Sequence, residues 1–199
     1  MDIQESIAQM ALAKRILVLG SSGSGKTTFS IQLGRILNLK TIHLDAQFWK
    51  PGRIATPQPE WREIVASLIQ AESWIMDGTY ESTLDLRIPA ADTVVVIGSS
   101  RWTCLWRMLK RQAFSKSDGR PDAPKGPIPD SVASQRRALL PHYASWLRYI
   151  WQYPTVTQPF VLDCIQKYGP DKTLIQLGTP NDIQRCLGQI QPTDCPTMQ

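Results

Sequence analysis

Eight consecutive residues, Gly20-Ser21-Ser22-Gly23-Ser24-Gly25-Lys26-Thr27, combine small residues, one cation and one hydroxyl at the spacing G-x-x-x-x-G-K-[ST]. Residues of these types in this order can wrap a chain of phosphates. Gly20 lets the backbone leave a strand tightly, and Gly25 has no Cβ to keep backbone amides from closing on phosphate oxygens. A helix opening after the loop offers unpaired N–H groups and the positive end of its dipole to the anion. Lys26 is expected to reach the β- and γ-phosphates, the Thr27 hydroxyl to hold Mg²⁺, and Thr28 to continue the loop into the helix. A flexible Ser/Gly linker is the rival reading. A linker would not sit between two periodic apolar segments, as this stretch does.

Those segments belong to an alternating series of elements. Residues 2 to 13 fit a lead-in helix and Arg15 to Leu19 the first strand; Phe29, Leu33, Ile36 and Leu37 then mark one face of a helix. Thr41 to Leu44 reads as a second strand ending at Asp45, and the proline-rich stretch 46 to 59 as loop. Trp61, Ile64, Val65, Leu68 and Ile69 require another helix, followed by a third strand from Ser73 that stops at Asp77-Gly78 and a fourth over Thr93 to Ile97. A helix from about Ser100 carries Trp102, Leu105, Trp106 and Leu109 on one face, expected to be core, and Arg107, Lys110 and Arg111 on another. Residues 115 to 130 are rich in Pro and Gly and read as a lid-like loop. Helical regions over 132 to 151, broken or kinked at Pro141, and over 155 to 168 follow; then come a fifth strand, Thr173 to Leu177, a last helix to about Gly188, and a disordered tail over 189 to 199. Strands alternating with helices predict βαβ units in a parallel sheet, within a single domain spanning 1 to 199.

Composition narrows the class. The 199 residues are 42% hydrophobic and 20% charged with a formal charge of +5, enough apolar content for one sizeable core and a balance that suits a handler of polyanions. Cys104, Cys164, Cys186 and Cys195 form no C-x-x-C pair and have only His43 and His142 to join them at a metal, so free thiols in a reducing compartment are expected. Asp2 and Glu5 stand where a signal peptide would be basic, and no apolar run reaches spanning length, which predicts a cytoplasmic protein.

Beyond the loop itself, His43-Leu44-Asp45, Phe48-Trp49-Lys50-Pro51-Gly52, Ile75-Met76-Asp77-Gly78-Thr79-Tyr80, Thr83-Leu84-Asp85-Leu86-Arg87, Ala91-Asp92-Thr93 and Leu105-Trp106-Arg107 form a set. Together they resemble the adenylate-kinase-like P-loop proteins often labelled DNA topology modulation proteins, over about residues 14 to 188. The resemblance implies a P-loop NTPase of α/β class, with five parallel strands in the order 2-3-1-4-5, helices on both faces and a lid. It implies ATP and Mg²⁺ as cofactors. Asp77 would hold Mg²⁺ through its waters, the rival being a plain Asp-Gly turn. Arg107 and Arg111, at i and i+4, would reach one phosphate chain or else form a solvated basic face. Gly178-Thr179-Pro180 would line adenine or serve as an ordinary strand-to-helix turn.

On the acceptor side, Asp45 lies at the sheet edge where ligands gather and would orient or deprotonate a hydroxyl, unless it only caps a turn. Trp49 is a candidate for stacking on substrate; an acceptor phosphate would be lined by arginines such as Arg53, Arg62 or Arg87, whereas a hydroxyl acceptor would make Asp45 matter. Where relatives end strand four with Leu-Asp and Pro-Arg, this chain has Ile97-Gly98-Ser99-Ser100-Arg101, which removes one acid from the magnesium side. The expected activity is ATP- and Mg²⁺-dependent phosphoryl transfer to a nucleotide or other small molecule, by a monomer or dimer. The alternatives are a DNA-associated regulator switched by ATP, or a slow ATPase.

Overall fold

The computed structural model describes residues 3–51, 54–114 and 140–190. Five strands, β1 (Arg15–Gly20), β2 (Thr41–His43), β3 (Trp74–Asp77), β4 (Thr93–Ile97) and β5 (Thr173–Leu177), form one parallel sheet. Their order, β2-β3-β1-β4-β5, is the one expected. All five residues of β4 and all four of β3 are buried, as continuous apolar runs in the middle of a two-sided sheet must be.

Alternation along the strands sends side chains to two separate cores. Leu17, Leu19, Met76, Val94 and Val96 point one way, onto α4 (Gln58–Leu68), α5 (Leu84–Ala90) and α8 (Gln158–Tyr168), where Trp61, Ile88 and Val161 are fully closed off. Ile16, Val18, Ile75, Val95 and Ile97 point the other way, onto α1 (Ile3–Leu12), α2 (Lys26–Leu37) and α9 (Pro180–Gln189), where they meet Met10, Phe29, Leu33 and Cys186. The sheet is therefore held on both faces, and its strand ends are fixed in register.

Several expectations need correction. The stretch after β2 is not plain loop: α3 (Leu44–Phe48) follows the strand directly, and Trp49–Lys50 pairs antiparallel with Ile54–Ala55. The segment Leu84–Ala90, to which the sequence reading assigned no element, is helical even with Pro89 inside it. The largest correction concerns α6 (Arg101–Phe114). Trp102 and Trp106 are 68% and 67% exposed, not core. The stripe that α6 buries is Cys104 and Met108, against Ile150 on α7 (Leu140–Gln152). Two periodic stripes were available on this helix, and bulk favoured the wrong one. A short π-helical turn, Tyr153–Thr157, links α7 to α8, where a plain helix from about 155 was expected. The lid over 115 to 130, the helical start over 132 to 139, and the tail from 191 lie outside the described residues. Cys104, Cys164 and Cys186 are free and buried, and Cys195 lies in that tail. Among the described residues, no helix is long and apolar enough to cross a membrane.

Candidate active site

The loop between β1 and α2 is built at the centre of the sheet, where β1 has a neighbour on each side. Gly20 sits so close to β4 that a Cβ would come within 2.4 Å of the Ile97 carbonyl oxygen. Gly25 needs its residue type for another reason: it caps α2 with φ 105°, while the space around a Cβ there is nearly open. The loop closes on itself through Ser24 N–H to the Ser21 carbonyl at 3.2 Å and Phe29 N–H to the Gly25 carbonyl at 3.0 Å. Lys26 Nζ donates to the Ser21 carbonyl at 3.0 Å. Arg107, arriving from α6, lies over the loop with Nη1 at 3.3 Å from the Gly23 carbonyl and 3.4 Å from that of Ser24.

The carboxyl ends of β2 and β3 form the other wall. Parallel register sets His43 beside Asp77, and His43 Nδ1 lies 3.0 Å from Asp77 Oδ1. Asp77 is buried and its Oδ2 has no hydrogen-bond partner among the described residues; neither does the buried Ser24 Oγ in the loop. One residue past Gly78, the Thr79 hydroxyl both donates to the Gly20 carbonyl at 2.8 Å and accepts the Gly20 N–H at 3.2 Å. Next to it the Tyr80 phenol donates to Asp45 Oδ1 at 2.6 Å. Burial, and after it the Asp45 charge, push the Tyr80 phenol far above its ordinary range, so it stays protonated and keeps donating. Asp45 itself lies one residue into α3 instead of ending β2.

Tyr80 belongs to an aromatic cluster. Phe48 stands 4.8 Å from Tyr80, 5.1 Å from Trp61 and 5.0 Å from Trp49, the last two edge-on. Trp49 is half-buried on the outer side of this cluster. Two of the three arginines expected on the acceptor side are not on offer there. Arg87 is 0% exposed and its donors go to Thr83 Oγ1 and to the carbonyls of Gly78, Thr79 and Tyr80. This corrects its expected place at an acceptor phosphate. Arg62 makes a two-pronged pair with Asp85, at 3.1 and 2.7 Å, and also donates to the Ser82 carbonyl.

One cleft of about 510 Å³ joins the two walls; Lys26, Thr27, Arg107 and Asp45 all line it, with Ser22 to Thr28 along one side and Pro180 at the far end. Gly20, Ser21 and Asp77 lie behind its surface, and Arg87 and Trp49 do not line it. Thr179 caps α9 reciprocally with Asp182: the Asp182 N–H reaches Thr179 Oγ1 at 3.2 Å and the Thr179 N–H reaches Asp182 Oδ2 at 2.8 Å. Gly178 stands beside Gly98, so the β4 and β5 ends meet at this edge. Arg111 lies in α6, but its side chain is outside the described residues, as is Arg53.

Sequence reasoning missed His43, Thr79 and Tyr80. The first was findable: once β2 and β3 are neighbours, His43 and Asp77 stand at matching distances before the strand ends. The Thr79 and Tyr80 contacts depend on the path of one turn and left no periodic trace.

No family model matches the chain, and no curated protein matches it by sequence. Its fold is found among solved structures. A shikimate kinase from Acinetobacter baumannii, in complex with shikimate, matches at 13% identity over 92% of this chain and 94% of its own, with a TM-score of 0.51. A deoxyadenosine kinase from M. mycoides with bound dCTP gives 12% identity, coverages of 88% and 97%, and a TM-score of 0.43. For a sugar kinase from Janibacter sp. the values are 17%, 90% and 95%, and 0.43. The first of these likenesses, together with the sheet order and the phosphate loop, defines the class: an α/β protein of the P-loop kinase fold. At such identities the likeness concerns the fold alone.

Proposed function

We propose that the chain is an ATP- and Mg²⁺-dependent phosphotransferase acting on the hydroxyl of a small molecule. The observation that carries this reading is that Asp45 lines the same cleft as the phosphate loop, Lys26, Thr27 and Arg107. The loop amides and Lys26 would bind the β- and γ-phosphates, and Arg107 would leave its loop carbonyls for the transferring group. Asp45 would take the acceptor's proton as its oxygen attacks the γ-phosphorus and the bond to the bridging oxygen breaks, releasing ADP. Its Oδ1 is held by Tyr80, which leaves the second oxygen for the acceptor. Most of the rate would come from positioning and charge stabilisation.

The residues present suit a magnesium ion. Thr27 supplies a hydroxyl at the cleft, Asp77 Oδ2 is a buried carboxylate oxygen with no protein partner among the described residues, and such an ion keeps several waters that a carboxylate can hold. Bound there, the metal would neutralise charge on the β- and γ-oxygens. With Arg87 buried and Arg62 engaged by Asp85, a hydroxyl acceptor is favoured over a phosphate. The test is incubation with γ-labelled ATP, Mg²⁺ and a panel of nucleosides, sugars, polyols and nucleoside monophosphates. Label on a hydroxyl compound is expected; label only on inorganic phosphate, or only on monophosphates, overturns the reading.

A second reading has one observation in its favour. The outward face of α6 carries exposed Trp102 and Trp106 beside exposed Lys110, and Arg101 lies 4.8 Å from the centre of the Trp151 ring. Aromatic and basic side chains interleaved in this way suit a single-stranded nucleic acid, in line with the group label of the proteins this sequence resembles. Binding to labelled oligonucleotides across salt concentrations discriminates, because phosphate contacts give a steep slope. Flat or absent binding removes this reading.

A further inference from the structure

Arg87 is a buried cation with no carboxylate at ion-pair distance among the described residues. Burial pulls its pKa down to about 9, so the group is still charged at neutral pH. An apolar side chain would fill the space at less desolvation cost. What the guanidinium adds is a fixed fork: Nη1 to the Gly78 carbonyl at 2.8 Å, and Nη2 to those of Thr79 and Tyr80 at 2.5 and 2.8 Å. The Tyr80 carbonyl also accepts from Thr83 Oγ1 and from the Thr83 N–H, both at 3.1 Å.

This clamp holds an unfavourable backbone. Tyr80 has φ 27° and ψ 75°, in the left-handed range that residues other than glycine avoid, so the conformation persists only where the surrounding structure holds it. From the clamped turn two side chains leave in different directions. Thr79 ties to Gly20, where the phosphate loop begins, and Tyr80 ties to Asp45.

We propose that Arg87 is the positioning residue that sets the phosphate loop and Asp45 relative to each other, through the Gly78–Tyr80 turn. The catalytic half of this rests on the reading of Asp45 given above; the mechanical half does not.

Amide hydrogen exchange on the full chain, wild type against Arg87→Lys and Arg87→Met, tests the mechanical half. Three amides report: Gly20, which donates to Thr79 Oγ1; Trp49, which donates to the Asp45 carbonyl; and Val95 in β4 as reference. Exchange at Gly20 and Trp49 is expected to rise about tenfold or more, with Val95 within about twofold. A uniform rise, or none, overturns the proposal, since a residue that merely stabilises the fold loosens every site together. If neither Arg87 variant folds, Thr79→Val and Tyr80→Phe decide. The first must speed Gly20 and spare Trp49, the second the reverse, and any other pattern counts against the proposal. Where the wild type transfers label to an acceptor, Arg87→Lys should lower kcat about tenfold at a nearly unchanged KM for ATP. A wild type that transfers nothing sinks the Asp45 reading while the exchange result still judges Arg87.

Discussion

The two walls of the cleft are made differently. The phosphate side comes from residues adjacent in the chain, Gly20 to Thr28, folded by their own turn and by the start of α2. The Asp45 side is assembled from β2, α3, β3, the turn after it and α5, with His43, Asp45, Asp77, Tyr80 and Arg87 meeting across up to 44 positions of sequence. A local site can be specified by a motif. A site pieced together from strand ends exists only once the sheet is in register, and it can vary one contact at a time. The phosphate side should therefore fail completely when a key residue is lost, and the Asp45 side in graded steps.

The sharpest form of that contrast is Lys26→Ala. The fold should be kept, because Lys26 is half-buried at the cleft and belongs to neither apolar core. Transfer should fall by about three orders of magnitude through loss of a charge aimed at the transferring group. Steady-state kinetics beside a melting curve would check both parts; a variant that keeps a tenth of the activity would break the assignment.

Asp45→Asn comes next, with an expected loss of about 100-fold in kcat, in the range for removing a general base. ATP affinity should barely change, because the loop does not depend on Asp45. Calorimetry of Mg²⁺·ATP binding separates the two sides. Equal damage to affinity and turnover would mean that they are not independent.

What the sequence made legible follows the same division. The five strands, most of the helices and the phosphate loop were readable because each rests on short-range periodicity or a contiguous motif, whereas the strand order came only through the resemblance to a known family, and the division of the core by the sheet was not foreseen. Trp61 was correctly placed in the core, yet Trp102 and Trp106 were not, since helical spacing gives a stripe without saying which of two faces meets the protein. The Arg87 clamp was invisible for a further reason. Three of its four partners are backbone carbonyls, which every residue carries, so no pattern of residue types announces it. The small helix α3 hid in a stretch whose prolines argued for loop, because those prolines all lie beyond its last residue, Phe48.

A change at the root of the phosphate loop probes where the local side depends on the sheet. In Gly20→Ala the new methyl would meet the Ile97 carbonyl at 2.4 Å and Ser24 Oγ at 2.9 Å. One neighbour is backbone in a fully buried strand and cannot yield cheaply. A loss of about 2 kcal/mol is expected, from overpacking and from a φ of 152°. Urea unfolding would measure it, and a neutral result would show that β4 gives way more readily than its burial implies.

The smallest effect tests the far end of the cleft, where Pro180 faces the phosphate loop from the start of α9. Thr179 and Asp182 satisfy each other's backbone N–H groups there, and the bonds to Thr179 hold the Asp182 carboxyl below the usual carboxylate range. Thr179→Ala removes one arm of this cap and should cost about 1 kcal/mol. The sign with pH follows from the depressed carboxyl: its contribution is present above the ordinary Asp value and is lost as pH falls through the lowered one. In the variant that acid-side loss should shrink, because Asp182 no longer has its hydroxyl partner. If this edge only terminates a strand, nucleotide affinity stays the same while stability falls. If it also carries the base of the nucleotide, affinity falls with it, and the contiguous side of the cleft extends from Gly20 to a second motif at Gly178-Thr179-Pro180.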